Sequence, residues 1–261
     1  MSRTRLRALV VLCVCLAGVP LLAQRGFRGG PPIDFVERAA PYDGRFAFAR
    51  LKFVTAPGGY YYRGLPAWAH GYPNAENHLS RIMSEVSAIK VIEDARNVLA
   101  LDDPELFKFP VAYMAEAGYW TMTDKEAAGL RAFLLKGGFV IFDDFRDDGR
   151  NAGGYANFEM QMKRVFPNAR LLPMTHDHPI YHSFFEIPSL DLIPQSYGSG
   201  PPTYLGLFEN NDPKKRLMAI INFNTDVADF WEFSSQGFYP IAEGNEAYKL
   251  GVNYMVYALT H

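Results

Sequence analysis

The stretch Thr123-Asp124-Lys125-Glu126-Ala127-Ala128-Gly129-Leu130-Arg131-Ala132-Phe133-Leu134-Leu135-Lys136-Gly137-Gly138-Phe139-Val140-Ile141-Phe142-Asp143-Asp144 decides the fold. It opens as a capping box, in which the Thr123 oxygen accepts the Glu126 amide proton while the Glu126 carboxylate reaches back. Ala127, Leu130, Phe133 and Leu134 recur at helical spacing and form a buried stripe, and Gly137-Gly138 offers the left-handed exit. Phe139 to Phe142 follows at once as an unbroken apolar run, suited to a strand buried on both faces, and ends abruptly at Asp143-Asp144. Phe109 to Met114, just upstream, has the same character. A strand, a helix and a second strand in that order predict a parallel pair joined by a right-handed crossover.

Outward from this unit the alternation continues. Arg45 to Leu51 alternates like a strand, and Asn74 can cap a helix that places Leu79, Ile82, Met83 and Val86 on one face. Val98 to Leu101 is a short strand stopped by Asp102-Asp103-Pro104. Tyr155 to Phe166 reads as a helix with Phe158, Met162 and Val165 inward, and Ala169 to Leu172 as a further strand. Leu217 to Phe223 is strongly apolar and closes in Asn224-Thr225-Asp226; Asn245 can cap a last helix carrying Leu250, Tyr254, Met255 and Tyr257. The pattern predicts an α/β fold with one doubly wound, mostly parallel sheet of five to seven strands in three layers. Ligands of such sheets bind at the carboxyl ends of the strands, so Asp143-Asp144 and Asn224-Thr225-Asp226 are expected to face one cleft.

Of 261 residues, 49% are hydrophobic and 21% charged, which excludes a disordered, collagen-like or multi-pass membrane chain. A formal charge of -2 gives no reason to expect a nucleic-acid partner. Arg3, Arg5 and Arg7 precede an apolar run from Ala8 to Ala23, the form of a secretory signal peptide over residues 1–23; an uncleaved N-terminal anchor is the alternative. Residues 24–44 read as a flexible Gly/Arg/Pro-rich tether and 45–261 as a single α/β domain. Cleavage would remove three arginines and no acids, taking the charge from -2 to -5 and leaving no stable membrane span. Both cysteines, Cys13 and Cys15, would leave with the signal, so the secreted or periplasmic protein is expected to have no disulfide, thiolate nucleophile or Cys-ligated metal.

Phe109-Pro110-Val111-Ala112-Tyr113-Met114 and Leu130 to Phe145 resemble an uncharacterised bacterial family known only as a domain of unknown function (four-one-five-nine). Asp177-His178-Pro179-Ile180, Asn222 to Asp226 followed by Trp231-Glu232, and Gly251-Val252-Asn253-Tyr254 extend the resemblance over roughly residues 45 to 260. That family is similar to the class I glutamine amidotransferase-like superfamily, which implies a flavodoxin-like sandwich. Amidotransferases carry a cysteine at the elbow that this likeness places at Asp143-Asp144. A carboxylate cannot form the thioester, so glutaminase activity is not expected. The resemblance also implies an envelope setting, since relatives occur fused to envelope-associated proteins.

The candidate cleft gathers Asp143, Asp144, His176, Asp177, His178, Asn224, Asp226, Trp231 and Glu232. Hard oxygen donors with imidazoles suit a divalent ion that activates water, and on an extended strand His176 and His178 would share a face. No recognised metal-ligand spacing is present, so no metal is assigned, and the sequence requires no cofactor. The reading that these residues favour is plainer: Asp143-Asp144 cap the following segment and His178, before Pro179, orders a turn. Asp143 or Asp144 against Asp226 or Glu232 could also form a glycosidase-like pair, with Tyr119, Trp120 and Trp231 stacking on sugars. Gly58-Gly59-Tyr60-Tyr61-Tyr62-Arg63 reads as a binding loop or as a turn packing tyrosines on a sheet edge. The expected function is binding of a small polar ligand, a carbohydrate among the candidates, or of an envelope protein partner. The alternative is a hydrolase working through the Asp/His cluster, with or without a metal.

Overall fold

The computed structural model describes residues 42–61, 64–95, 97–147, 154–192 and 200–261. The expected signal peptide and nearly all of the tether lie outside the described residues, as do Tyr62 and Arg63. Seven strands form the central sheet: β1 (Ala49–Lys52), β2 (Asn97–Ala100), β3 (Val111–Met114), β4 (Phe139–Phe145), β5 (Leu171–Pro173), β6 (Thr203–Phe208) and β7 (Leu217–Phe223). Their order is β2-β1-β3-β4-β7-β6-β5. The first five neighbours pair in parallel, and β6 runs antiparallel to both β7 and β5. The molecule is therefore an α/β protein with a mostly parallel sheet.

Among the described residues five α-helices accompany it: α1 (Asn74–Val86), α2 (Asp124–Leu135), α3 (Tyr155–Val165), α4 (Val227–Glu232) and α5 (Ile241–Thr260). Alternation along the strands divides the core in two. Val140 and Phe142 of β4 pack with Ala127, Leu130, Phe133 and Leu134 of α2 and Phe158 and Met162 of α3. Phe139 and Ile141 turn to the other side, against Leu79 and Met83 of α1, Phe230 and Trp231 of α4 and Leu250 and Tyr254 of α5. Helices thus cover both faces.

The capping box forms as its residues predict: Thr123 Oγ1 accepts from the Glu126 amide and Glu126 accepts from the Thr123 amide. Four local readings need correction, the first being that Asn74 is the opening residue of α1 behind Pro73 and not its cap. β4 does not stop at Phe142 but includes Asp143 and Asp144, both buried, because each carboxylate has internal partners. α5 starts at Ile241, four residues before Asn245, behind Pro240, whose fixed φ suits a helix entry. β6 is a strand the sequence reading passed over, behind Pro201-Pro202 and interrupted by Gly206. That glycine is needed for packing: a Cβ there would sit 2.5 Å from Met174 Sδ and 2.6 Å from the Phe208 ring.

Candidate functional site

Asp143 sits at the carboxyl end of β4 with its side chain on the α4–α5 face. It is fully buried and accepts from four donors: Tyr113 Oη (2.8 Å), Asn222 Nδ2 (3.1 Å), and the Val227 and Ala228 amides (3.4 and 3.1 Å). The last two are among the orphan donors of the first turn of α4. Tyr254 completes the ring by donating to Asn222 Oδ1 at 2.9 Å. Burial is the largest influence on Asp143 and pushes its pKa up to about 6, against the pull of Tyr113. The residue is an internal fastener between sheet and helix.

Asp144, its neighbour, is aimed differently. Its backbone is left-handed (φ 58°), unusual for a non-glycine residue, and its Oδ2 lies 2.5 Å from Nδ1 of His70. Glu116, two residues past the end of β3, comes within 3.4 Å of the same nitrogen. Asp229 and Glu232 of α4 complete a second group around the imidazole: one potential ligand atom from each of His70, Asp229 and Glu232 lies within 4.8 Å of the others, as holds for His70, Glu116 and Asp144. Asp226, buried, caps α4 by accepting from the Asp229 amide at 2.9 Å and adds its charge nearby.

This crowding sets the electrostatics. The Asp144 carboxylate holds the His70 pKa far above the ordinary imidazole range, against the opposing effect of burial. Burial first, then Asp144, pushes Glu116 up to about 7. Asp226, Asp229 and Glu232 are all raised, burial again leading. Among these acids Glu116 is the one placed near neutrality, with the His70 imidazolium and Arg146 pulling against burial.

His70 is positioned from beneath by β1. Arg50, 1% exposed, donates to the Trp68 and His70 carbonyls (3.0 and 2.9 Å) and pairs with Glu76 of α1 at 2.5 Å, with its guanidinium 4.6 Å from the Tyr113 ring centroid. Tyr61 packs its ring on His70, 5.0 Å between centroids, and donates to the Ala69 carbonyl at 2.6 Å. Beside Glu116 opens a small polar pocket of about 110 Å³, lined by Gly58, Gly59, Tyr60, Tyr61, Glu116, Gly118, Tyr119, Phe145, Arg146 and Gly154. Its walls are close-set: a Cβ on Gly59 would meet Tyr119 at 2.6 Å, and one on Gly118 the Gly154 nitrogen at 2.7 Å.

Of the residues expected in the cleft, the structure brings Asp144, Asp226 and Glu232 to one rim, with Asp143 beneath. Asn224, left-handed at φ 60°, donates its backbone N–H to Phe145 and its side-chain amide to the Pro201 carbonyl, holding the end of β7 against β4. Trp231 is buried, with Nε1 donating to the Ala247 carbonyl, and Trp120 stacks on Phe142 inside the core. Neither indole can stack on a sugar; Tyr119 alone of the three expected aromatics lines the pocket.

His176, Asp177 and His178 are not at this rim. His178 Nδ1 accepts from the Ile180 amide as a turn cap, and its ring packs on Tyr257, which also packs on Phe139, the first residue of β4. Asp143 lies four residues along that strand, about 13 Å away at the strand rise. His176 and His178 also do not act as a pair, since His176 packs against His182. Asp177 is a solvated turn residue whose pKa is lowered by its bond from Thr175. Sequence reading missed His70, Glu116, Asp229 and Arg50. Glu116 carried a usable signal, lying just beyond the carboxyl end of a predicted strand; His70, in an irregular loop, carried none.

The family model described as Domain of unknown function (DUF4159) matches residues 48–259. The chain belongs to this family. The matched span includes all seven strands and every residue of the rim. No curated protein matches the chain.

Proposed function

We propose that this member of the family binds a small polar ligand at the carboxyl edge, in the pocket beside Glu116 and His70. The observation that carries the reading is convergence. The loops following β1, β3 and β4 all contribute to the pocket, at the point where the sheet order reverses between β1 and β3. Ligands of open α/β sheets bind at such switch points. The order β2-β1-β3-β4-β7 of the parallel strands supports the finer assignment, a flavodoxin-like doubly wound sheet with an added antiparallel pair. The left-handed backbone of Asp144 supports the likeness to an amidotransferase elbow, although α3 begins only at Tyr155 and a tight strand-turn-helix is not reproduced. With acids at that corner and no cysteine after Cys15, the reading carries no glutaminase step.

Electrostatics narrows the ligand. A rim of five carboxylates against His70 and Arg146 repels phosphate and carboxylate groups and suits hydroxyl-rich or cationic molecules, which donate hydrogen bonds to carboxylates. A carbohydrate meeting Tyr61 and Tyr119 fits this chemistry. The signal-like residues 1–23 place this activity outside the cytoplasm in our reading, and a purified mature chain starting at Gln24 is the expected product.

One observation favours a second reading, hydrolysis. Glu116, with a pKa near 7 beside an imidazolium, is poised as a general acid or base at the pocket wall. Calorimetry with a panel of mono- and oligosaccharides and small amines tests the binding reading. Binding weakened about tenfold or more by Glu116→Gln is the expected result. Silence across the panel would remove the ligand reading and leave an envelope protein partner. If the site hydrolyses glycosides, turnover should show a pH limb near 7 that Glu116→Gln abolishes; an unaltered profile would exclude the acid–base role.

A further inference from the structure

His176, His182 and Glu186 cluster on a surface loop that has no part in the rim. One potential ligand atom from each of the three lies within 4.8 Å of the other two. The two rings are fixed by what they bond. His176 Nε2 meets the Ile187 carbonyl, and His182 Nε2 meets the His176 carbonyl at 2.7 Å. A carbonyl oxygen only accepts, so each Nε2 carries a hydrogen, and coordination of an ion falls to the Nδ1 atoms, the His182 Nδ1 giving up the proton it shares with Glu186. This is the arrangement that metal-binding histidines adopt, one nitrogen on the ion and the other donating to a backbone carbonyl. His182 Nδ1 donates to Glu186 Oε1 at 2.8 Å, so a proton already bridges the two groups at a spot where a bound cation would take its place.

The loop is also held rigid from below. The Ile187 amide bonds the Tyr181 carbonyl at 3.2 Å, closing the segment on itself. Asn253 of α5, fully buried, accepts from the Phe184 and Phe185 amides (3.1 and 2.7 Å) and donates to the Phe185 carbonyl at 2.8 Å. The ligands therefore stand on an anchored turn rather than a free one. We propose that His176, His182 and Glu186 form a surface site for a borderline transition-metal dication, zinc in the first instance. Two imidazoles and one carboxylate are a zinc donor set, and the fourth tetrahedral position is open to water or an external ligand.

The test is calorimetric titration of the chelator-treated mature chain, from Gln24 onward, with zinc. Glu186→Gln changes a side chain that is 72% exposed, and so leaves the fold intact even where His182→Ala does not. The expected result is one zinc equivalent that weakens about tenfold or more in each of these variants and survives His70→Ala. A parent chain that takes up no zinc overturns the site. So does an equivalent that persists in both loop variants, or one lost only with His70→Ala. Because the carboxyl-edge pocket shares none of these ligands, its own failure to bind a sugar leaves this outcome untouched.

Discussion

The interior beneath the carboxyl edge and the rim above it use the same residue types to opposite ends. Below, Asp143 has four donors for one carboxylate, supplied by Tyr113, Asn222 and the first turn of α4. Above, Asp144, Glu116, Asp226, Asp229 and Glu232 crowd around His70, and a small polar pocket adjoins them. Hydrogen-bond donors converge on the Asp143 carboxylate, whereas burial and neighbouring acids raise the pKa values of Glu116, Asp226, Asp229 and Glu232.

Substitutions should separate the two regions sharply. Asp143→Ala should give the largest loss. It orphans four buried donors at about 1–3 kcal/mol each, which approaches the whole stability of a typical domain, and chemical denaturation or failure to express folded protein reads it. Arg50→Met links the regions, because it strands Glu76 in the core and releases the His70 loop. A loss of about 3–5 kcal/mol is expected, with part recovered in Arg50→Met/Glu76→Met. A double variant no more stable than the single one would show that the stranded Glu76 charge is not the source of the loss.

Asp144→Asn, at the rim, should cost only about 1–3 kcal/mol and keep the fold. Its signature is in the imidazole: His70 should titrate far lower than in the parent, as followed by nuclear magnetic resonance. A His70 titration unmoved by this change would mean that Asp144 is not its partner.

The smallest effect is in pH. Glu116 and Asp143 have folded pKa values of about 7 and about 6, raised from 4.5 and 3.8. A raised acid stabilises the fold through its protonated form, fully below the unfolded value, and that contribution is lost as pH rises through the folded value. His70, also raised, contributes throughout this window and does not oppose the trend. The melting temperature should therefore climb by a few degrees as pH falls from 8 to 5, and Glu116→Gln should flatten the upper part of the rise. A melting temperature that drops over this range would refute the crowded-acid description.

The sequence by itself determined the elements whose signals are local. Among the described residues, apolar runs and helical stripes marked six of the seven strands of the central sheet and four of the five helices, and the capping box at Thr123 formed as its spacing requires. These follow from side-chain period and from hydrogen bonds a few residues apart, which the chain carries in linear order. Strand-end position also drew attention to Asp143, Asp144 and Asp226. What distinguished Asp143 from Asp144 was tertiary: one meets Tyr113, Asn222 and α4, the other His70, from residues between 30 and 85 positions away. The same holds for His176, which pairs with His182 across a turn rather than with His178, because the loop closes on Asn253 instead of running as a strand. Partners this distant leave no periodicity, since packing of whole layers decides which carboxylate meets a donor and which meets another charge.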